Sequence, residues 1–143
     1  MFSISAIMTT DLITVGENDT LDDARIMMHE HRIHHLPVVD GDRLVGVVSL
    51  TNVLAATDSY LRDPDSRLHA RDIPIKDVMI TDVATVDKNA SLRRAAMFLE
   101  KHRIGCLPVL SKGKLVGIIT DTDFVGVAIN LLEQMESVEP DDF

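Results

Sequence analysis

Apolar and polar positions along the chain follow one order, and that order occurs twice. Leu12-Ile13-Thr14-Val15 is a short apolar run that predicts a strand, and Val83-Ala84-Thr85-Val86 repeats it. After a polar turn comes Thr20 or Ser91, whose hydroxyl can accept the first-turn amides of a helix. Leu21, Ala24 and Met28 then fall on one helical face, as do Leu92, Ala95 and Leu99. Residues 36–39 and 43–49 read as two strands joined by Asp40-Gly41-Asp42; residues 107–110 and 114–120 read as two joined through Ser111-Lys112-Gly113. A second helix follows in each copy, over about residues 50–57 and 121–135.

The likeness extends to single residues. His31-Arg32-Ile33-His34-His35-Leu36-Pro37-Val38-Val39 recurs 71 positions later as His102-Arg103-Ile104-Gly105-Cys106-Leu107-Pro108-Val109-Leu110. Leu44-Val45-Gly46-Val47-Val48-Ser49 recurs as Leu115-Val116-Gly117-Ile118-Ile119-Thr120. The fold class expected is α+β, with two tandem β-α-β-β-α repeats packed about a pseudo-two-fold axis. Neither copy's three-stranded sheet buries both faces by itself, so the copies are expected to cover each other and form two related clefts. The expected division is residues 1–57 and 75–135 for the repeats, 58–74 for a polar linker and 136–143 for an acidic tail that frays.

Composition narrows the function. Aromatic residues are only 3 % of the chain and Trp is absent, so the core must be aliphatic. A formal charge of −9 supplies no basic face for a nucleic acid or an anionic membrane. One cysteine, Cys106, excludes an internal disulfide and a multi-cysteine metal site, which fits a reducing cytoplasm. No apolar run is long enough to span a bilayer, and the N-terminus shows no signal-peptide pattern.

The sharpest local chemistry is Gly117-Ile118-Ile119-Thr120-Asp121-Thr122-Asp123, with its counterpart Gly46-Val47-Val48-Ser49-Leu50-Thr51-Asn52. A strand ends in a hydroxyl residue, and a carboxylate or amide follows three positions on as a helix begins. One reading is a capping box that satisfies free backbone amides. A second adds a ligand, because a helix start offers donors to anions and a carboxylate can accept both hydroxyls of a ribose diol. The two are compatible.

Tandem units of this order, each with an apolar-Pro-Val strand and then Gly-apolar-apolar-Ser/Thr-x-x-Asp/Asn, resemble paired cystathionine β-synthase (CBS) domains, the Bateman module. The resemblance implies a stand-alone regulatory or sensing module, not an enzyme, that holds an adenosine-containing ligand between repeats. Carried over by position, it implies a primary site of Thr120, Asp123, Ile118, Ile4, Met8, Ile33, His34, His35 and Cys106. A secondary site would hold Ser49, Asn52, Val47, Ile75, Met79 and Ile104, with Asn52 lacking the charge that makes Asp123 a strong diol acceptor. Where phosphate-gripping members place a basic residue, this chain has His34-His35 and Gly105-Cys106. AMP or ADP is therefore expected ahead of ATP, with S-adenosylmethionine behind them and no catalytic cofactor.

Other candidates are less specific. His29, His31, His34 and His35 show no common ligand geometry, so no metal is expected. His31 and His102 recur at helix ends, a place for helix closure. Cys106 reads as a small buried hydrophobe. Met27, Met28, Met97 and Phe98 give the first helix of each copy a wide apolar surface, and the resemblance implies that such pairs form homodimers through these helices. No paired carboxylates, Ser-His-Asp set or Walker-type loop suggests catalysis. A regulated activity would lie on another polypeptide, and the alternative function is a ligand-free scaffold.

Overall fold

The computed structural model describes residues 3–61 and 72–138; most of the expected linker and the end of the tail lie outside these. In chain order the elements are α1 (Ile4–Ile7), α2 (Leu21–His31), β1 (His35–Asp40), β2 (Arg43–Ser49) and α3 (Leu50–Leu61). A 3₁₀ turn at Ile75–Asp77 precedes β3 (Val86–Asp87), α4 (Leu92–His102), β4 (Cys106–Ser111), β5 (Lys114–Thr120) and α5 (Asp121–Val138).

Local chemistry sets the helix limits. Thr20 Oγ1 accepts the Asp23 amide at 3.2 Å while Asp23 Oδ2 accepts the Thr20 amide at 3.0 Å, a reciprocal cap that opens α2. Ser91 Oγ accepts the Arg94 amide at 3.2 Å and opens α4. Both helices end on a left-handed residue, Arg32 at φ 54° and Arg103 at φ 51°, just after His31 and His102. The amides of these two arginines return to the carbonyls of His29 and Leu99. The β4–β5 connection turns through Lys112 and Gly113, both at positive φ, which matches the right-handed twist of the strands it joins.

The fold divides into two compact units, Leu12–Ala84 with Lys112–Leu115, and Met1–Asp11 with Thr85–Ser111 and Val116–Phe143. Each therefore takes the segment that leads one repeat and combines it with the body of the other. In the Leu12–Ala84 unit, β1 and β2 pair antiparallel from His35↔Ser49 to Asp40↔Arg43, with an irregularity between Val38 and Val39. Leu36, Pro37 and Val38 are buried in succession, so both faces of β1 are covered. Its core joins Leu21, Ala24 and Met28 of α2 to Val48, Val53, Ile73 and Ile75. The other unit has the strand order β3-β4-β5 and buries Ile4, Leu92, Ala95, Leu99, Leu107, Val109 and Ile119.

Four expectations are corrected. Residues 12–15 form no strand: Val15 alone bridges to Val38, because Asp19 Oδ2 takes the Gly16 amide at 2.7 Å and turns the chain away. The corresponding run keeps only Val86–Asp87, paired parallel with Val109 and Leu110, before Asp87 Oδ1 takes the Asn89 amide at 2.9 Å. Met28 does not belong to an outward surface; it shares the inward row with Leu21 and Ala24 and is 2 % exposed. Residues 136–138 are helical as the end of α5, where fraying is expected from the acidic sequence.

Candidate functional site

The motif singled out in the sequence falls where β5 becomes α5. Thr120 closes the strand and Asp121 starts the helix, and the Asp121 amide donates to the Gly105 carbonyl at 3.2 Å, just ahead of β4. Asp123 folds back from the first turn. Its Oδ2 accepts the Thr120 amide at 2.9 Å and the Thr120 hydroxyl at 3.3 Å. Among the described residues its Oδ1 accepts no hydrogen bond. The cap is thus one-armed: the hydroxyl donates to the carboxylate instead of accepting the Asp123 amide. The half-buried carboxylate keeps an oxygen for something else.

An apolar wall stands beside this carboxylate. Ile118 lies two residues before Thr120 on the same face of β5. Its amide donates to Thr9 at 3.0 Å and its carbonyl accepts the Thr9 amide at 2.9 Å, which lays the leading segment along β5. Approach is this close because residue 117 is glycine; a Cβ there would collide with the Met8 sulfur and sit 3.1 Å from the Thr9 carbonyl. Ile4 anchors the same segment with no exposed surface. Cys106 opens β4, and its thiol is pushed up to about 12 by burial first, then by the Asp121 and Asp123 carboxylates. It is a neutral wall residue and not a nucleophile.

The counterpart at β2 and α3 has the same frame and different chemistry. Val47 exchanges bonds of 3.0 and 2.9 Å with Ile80, and a Cβ on Gly46 would sit 2.8 Å from the Met79 sulfur and 2.9 Å from the Ile80 carbonyl. The Leu50 amide donates to the His34 carbonyl at 2.8 Å. Here the cap is complete. Ser49 Oγ accepts the Asn52 amide at 3.1 Å, and Asn52 Oδ1 accepts the Ser49 amide at 3.3 Å and hydroxyl at 2.6 Å. A backbone amide can only donate, so Asn52 must present oxygen to Ser49 and keep Nδ2 as its outward group. One site therefore offers an acceptor and the other a donor.

Of the residues singled out in the sequence, Ile4, Met8, Cys106, Ile118, Thr120 and Asp123 fall in one compact unit, with Ile104. Val47, Ser49, Asn52, Ile75 and Met79 fall in the other, with Ile33, His34 and His35. Sequence reasoning named Gly46 and Gly117 within the motif but assigned them no role, and it missed Thr9 and Ile80. The available signal was a glycine inside each strand matched by a methionine, Met8 or Met79, at the same spacing. Among the described residues, no three His, Cys, Asp or Glu side chains gather as a metal site, and no helix is long and apolar enough to cross a membrane.

Comparison with known proteins agrees with this frame. The family model described as CBS domain matches residues 4–59 and again 75–130. A CBS domain-containing protein of Bacillus subtilis, YhcV, is 30% identical over 119 residues, covering 83% of this chain and 80% of that protein. A Vibrio cholerae protein assigned to acetoin utilization (AcuB) has a solved structure 44% identical, with TM-score 0.83, covering 98% of this chain and 99% of that one. The structure of CBSX2 in complex with AMP is 29% identical, with TM-score 0.78, covering 92% and 99% of the two chains. The chain belongs to the CBS domain family and carries two copies of the domain.

Proposed function

We propose that the chain is a regulatory sensor that binds an adenosine-containing ligand at Asp123. The observation that carries this reading is the carboxylate itself: Thr120 holds it through Oδ2, while Oδ1 accepts no hydrogen bond among the described residues. A ribose diol presents donors to such an oxygen, and charge-assisted bonds of this kind are the stronger class. Met8 and Ile118 supply an apolar wall for a base, and fully buried Ile4 anchors the segment that carries Met8. That CBSX2, a protein of the same fold, holds AMP supports the ligand class. AMP or ADP ranks ahead of ATP because Gly105-Cys106, at the start of β4 in the same unit as Asp123, provide no permanent positive charge for a longer phosphate chain. S-adenosylmethionine has the same diol and ranks behind them.

The Asn52 site is the weaker of the two, since its oxygen is consumed by Ser49. The signal passes to another polypeptide, in the cytoplasm, from a chain that associates with a second copy of itself and is not an enzyme. Titration calorimetry with AMP, ADP and ATP tests the ligand. AMP and ADP are expected to bind, and 2′,3′-dideoxyadenosine monophosphate is expected to bind at least tenfold more weakly because it lacks the diol, about the 1.5–3 kcal/mol of a charge-assisted bond. Absence of binding by every adenosine compound would favour the ligand-free scaffold.

A further inference from the structure

Helix α5 runs on past the second CBS domain: the domain ends at residue 130 and the helix at Val138. From Ala128 to Ser137 every residue is exposed, including Ile129 at 52 %, Leu132 at 54 % and Met135 at 62 %. Val125, Ile129 and Leu132 follow the spacing i, i+4, i+7, and exposed Leu131 and Met135 form the adjoining row. Single exposed apolar residues need no explanation, whereas a contiguous stripe marks an interaction surface. A few helical turns without packing are marginal in water, so these turns require something to lie against. The polar residues around the stripe say what that is. Asn130 and Gln134 bond each other at 3.3 Å on the far edge. The charged residues of α5 are Asp121, Asp123, Glu133 and Glu136, with no Lys or Arg among them. Glu133 stands one turn beyond Ile129 and Glu136 one turn beyond Leu132, beside the negative end of the helix dipole. Neither pairs with a cation among the described residues.

We propose that this stripe docks a basic amphipathic helix of a partner protein. The partner's apolar residues meet Ile129, Leu132 and Met135, and its Lys or Arg residues meet Glu133 and Glu136. A cation placed there neutralises both carboxylates and complements the dipole that they oppose. A second α5 is the wrong occupant, because it adds carboxylates and no cation, and like charges opposed across an interface exclude a pairing. Glu139-Pro140-Asp141-Asp142-Phe143, the end of the chain, likewise adds only negative charge. A helix that lies on an anionic membrane carries Lys and Arg around its apolar stripe, and α5 has neither. The inference rests on the signal to another polypeptide proposed above and is independent of the nucleotide.

Fluorescence anisotropy with a labelled Leu/Lys amphipathic peptide as long as α5, and a Leu/Glu peptide of the same pattern, tests it. The Leu/Lys peptide is expected to bind the full chain and the Leu/Glu peptide is not. Glu133→Lys combined with Glu136→Lys is expected to weaken binding about tenfold, the scale of two reversed surface pairs. Leu132→Ala combined with Met135→Ala is expected to weaken it by about as much through lost apolar contact. Glu30→Lys combined with Glu100→Lys makes the same change of charge on exposed positions of α2 and α4, and should bind as the wild type does. All of these side chains are exposed, and thermal unfolding monitors the fold of each variant. Equal weakening by the α2 and α4 variant would mean diffuse charge attraction and would overturn the proposal. So would absence of binding, or full binding by the Leu132 and Met135 variant. In sedimentation equilibrium, a wild-type dimer that this last variant converts to a monomer would assign the stripe to a second copy and overturn it as well. AMP titration of the same variants separates the two readings, since the ligand site uses none of these residues.

Discussion

At the scale of single residues, two positions built on one plan differ by one atom, and the proposed ligand preference rests on that atom. Asp123 keeps an acceptor oxygen, whereas Asn52 spends its oxygen on the Ser49 amide and hydroxyl. Cys106 supplies a separate prediction. Its ordinary value near 9.0 rises to about 12 in the folded chain, chiefly through burial. Below about pH 9 the thiol is protonated in both states and contributes nothing to pH dependence. Between 9 and 12 the unfolded chain loses the proton and the folded chain keeps it, so stability falls as pH rises through that window. Denaturant titrations at several pH values should show this fall, and Cys106→Ala should flatten it. An unchanged slope in that variant would remove Cys106 as the cause. A second residue-scale expectation concerns Thr20, whose reciprocal cap opens α2. Thr20→Ala should cost about 1 kcal/mol in chemical denaturation.

At the scale of elements, the strand glycines let a neighbouring chain come close. Gly46 faces the Ile80 carbonyl, a backbone atom that cannot swing aside, at 2.9 Å from a would-be Cβ. Gly117 faces mainly the flexible Met8 side chain, with the Thr9 carbonyl at 3.1 Å. Gly46→Ala should therefore lose about 1–3 kcal/mol and Gly117→Ala less, by denaturant unfolding. The reverse order would contradict the backbone approach. Much of this level was legible in the sequence. Helices α2 and α4 announced themselves by a hydroxyl cap and apolar residues at helical spacing. The hairpins did so by consecutive β-branched residues around a Gly-containing turn, and Thr120 with Asp123 by their spacing. What could not be read was set by partners distant in sequence. Whether residues 12–15 pair as a strand depends on how far they run beside β1 before Gly16 turns. The short α1 and the turn at Ile75–Asp77 are held by buried Ile4 and Ile75 and not by periodicity.

At the scale of the molecule, the repeat in the sequence and the compact unit in space are different partitions. The Leu12–Ala84 unit draws Ile73 and Ile75, almost wholly buried, from beyond the first repeat's own helices. Residues 4–9 complete the other unit through the paired bonds between Thr9 and Ile118. Cutting the chain between Leu61 and Asp72 would therefore leave both fragments without part of a core. Neither alone should unfold cooperatively, and mixing the two should restore a cooperative transition by circular dichroism. A single fragment that melts cooperatively would contradict the shared cores. The two copies supply similar frames, and the proposed preference for one ligand site rests on the inequality between Asp123 and Asn52. Calorimetric titration of AMP into the wild type, Asp123→Ala and Asn52→Ala tests that claim most directly. Binding by the wild type and Asn52→Ala, and loss of binding by an Asp123→Ala variant that stays folded within about 1 kcal/mol of the wild type, is the predicted result. AMP bound equally well by folded Asp123→Ala would contradict it.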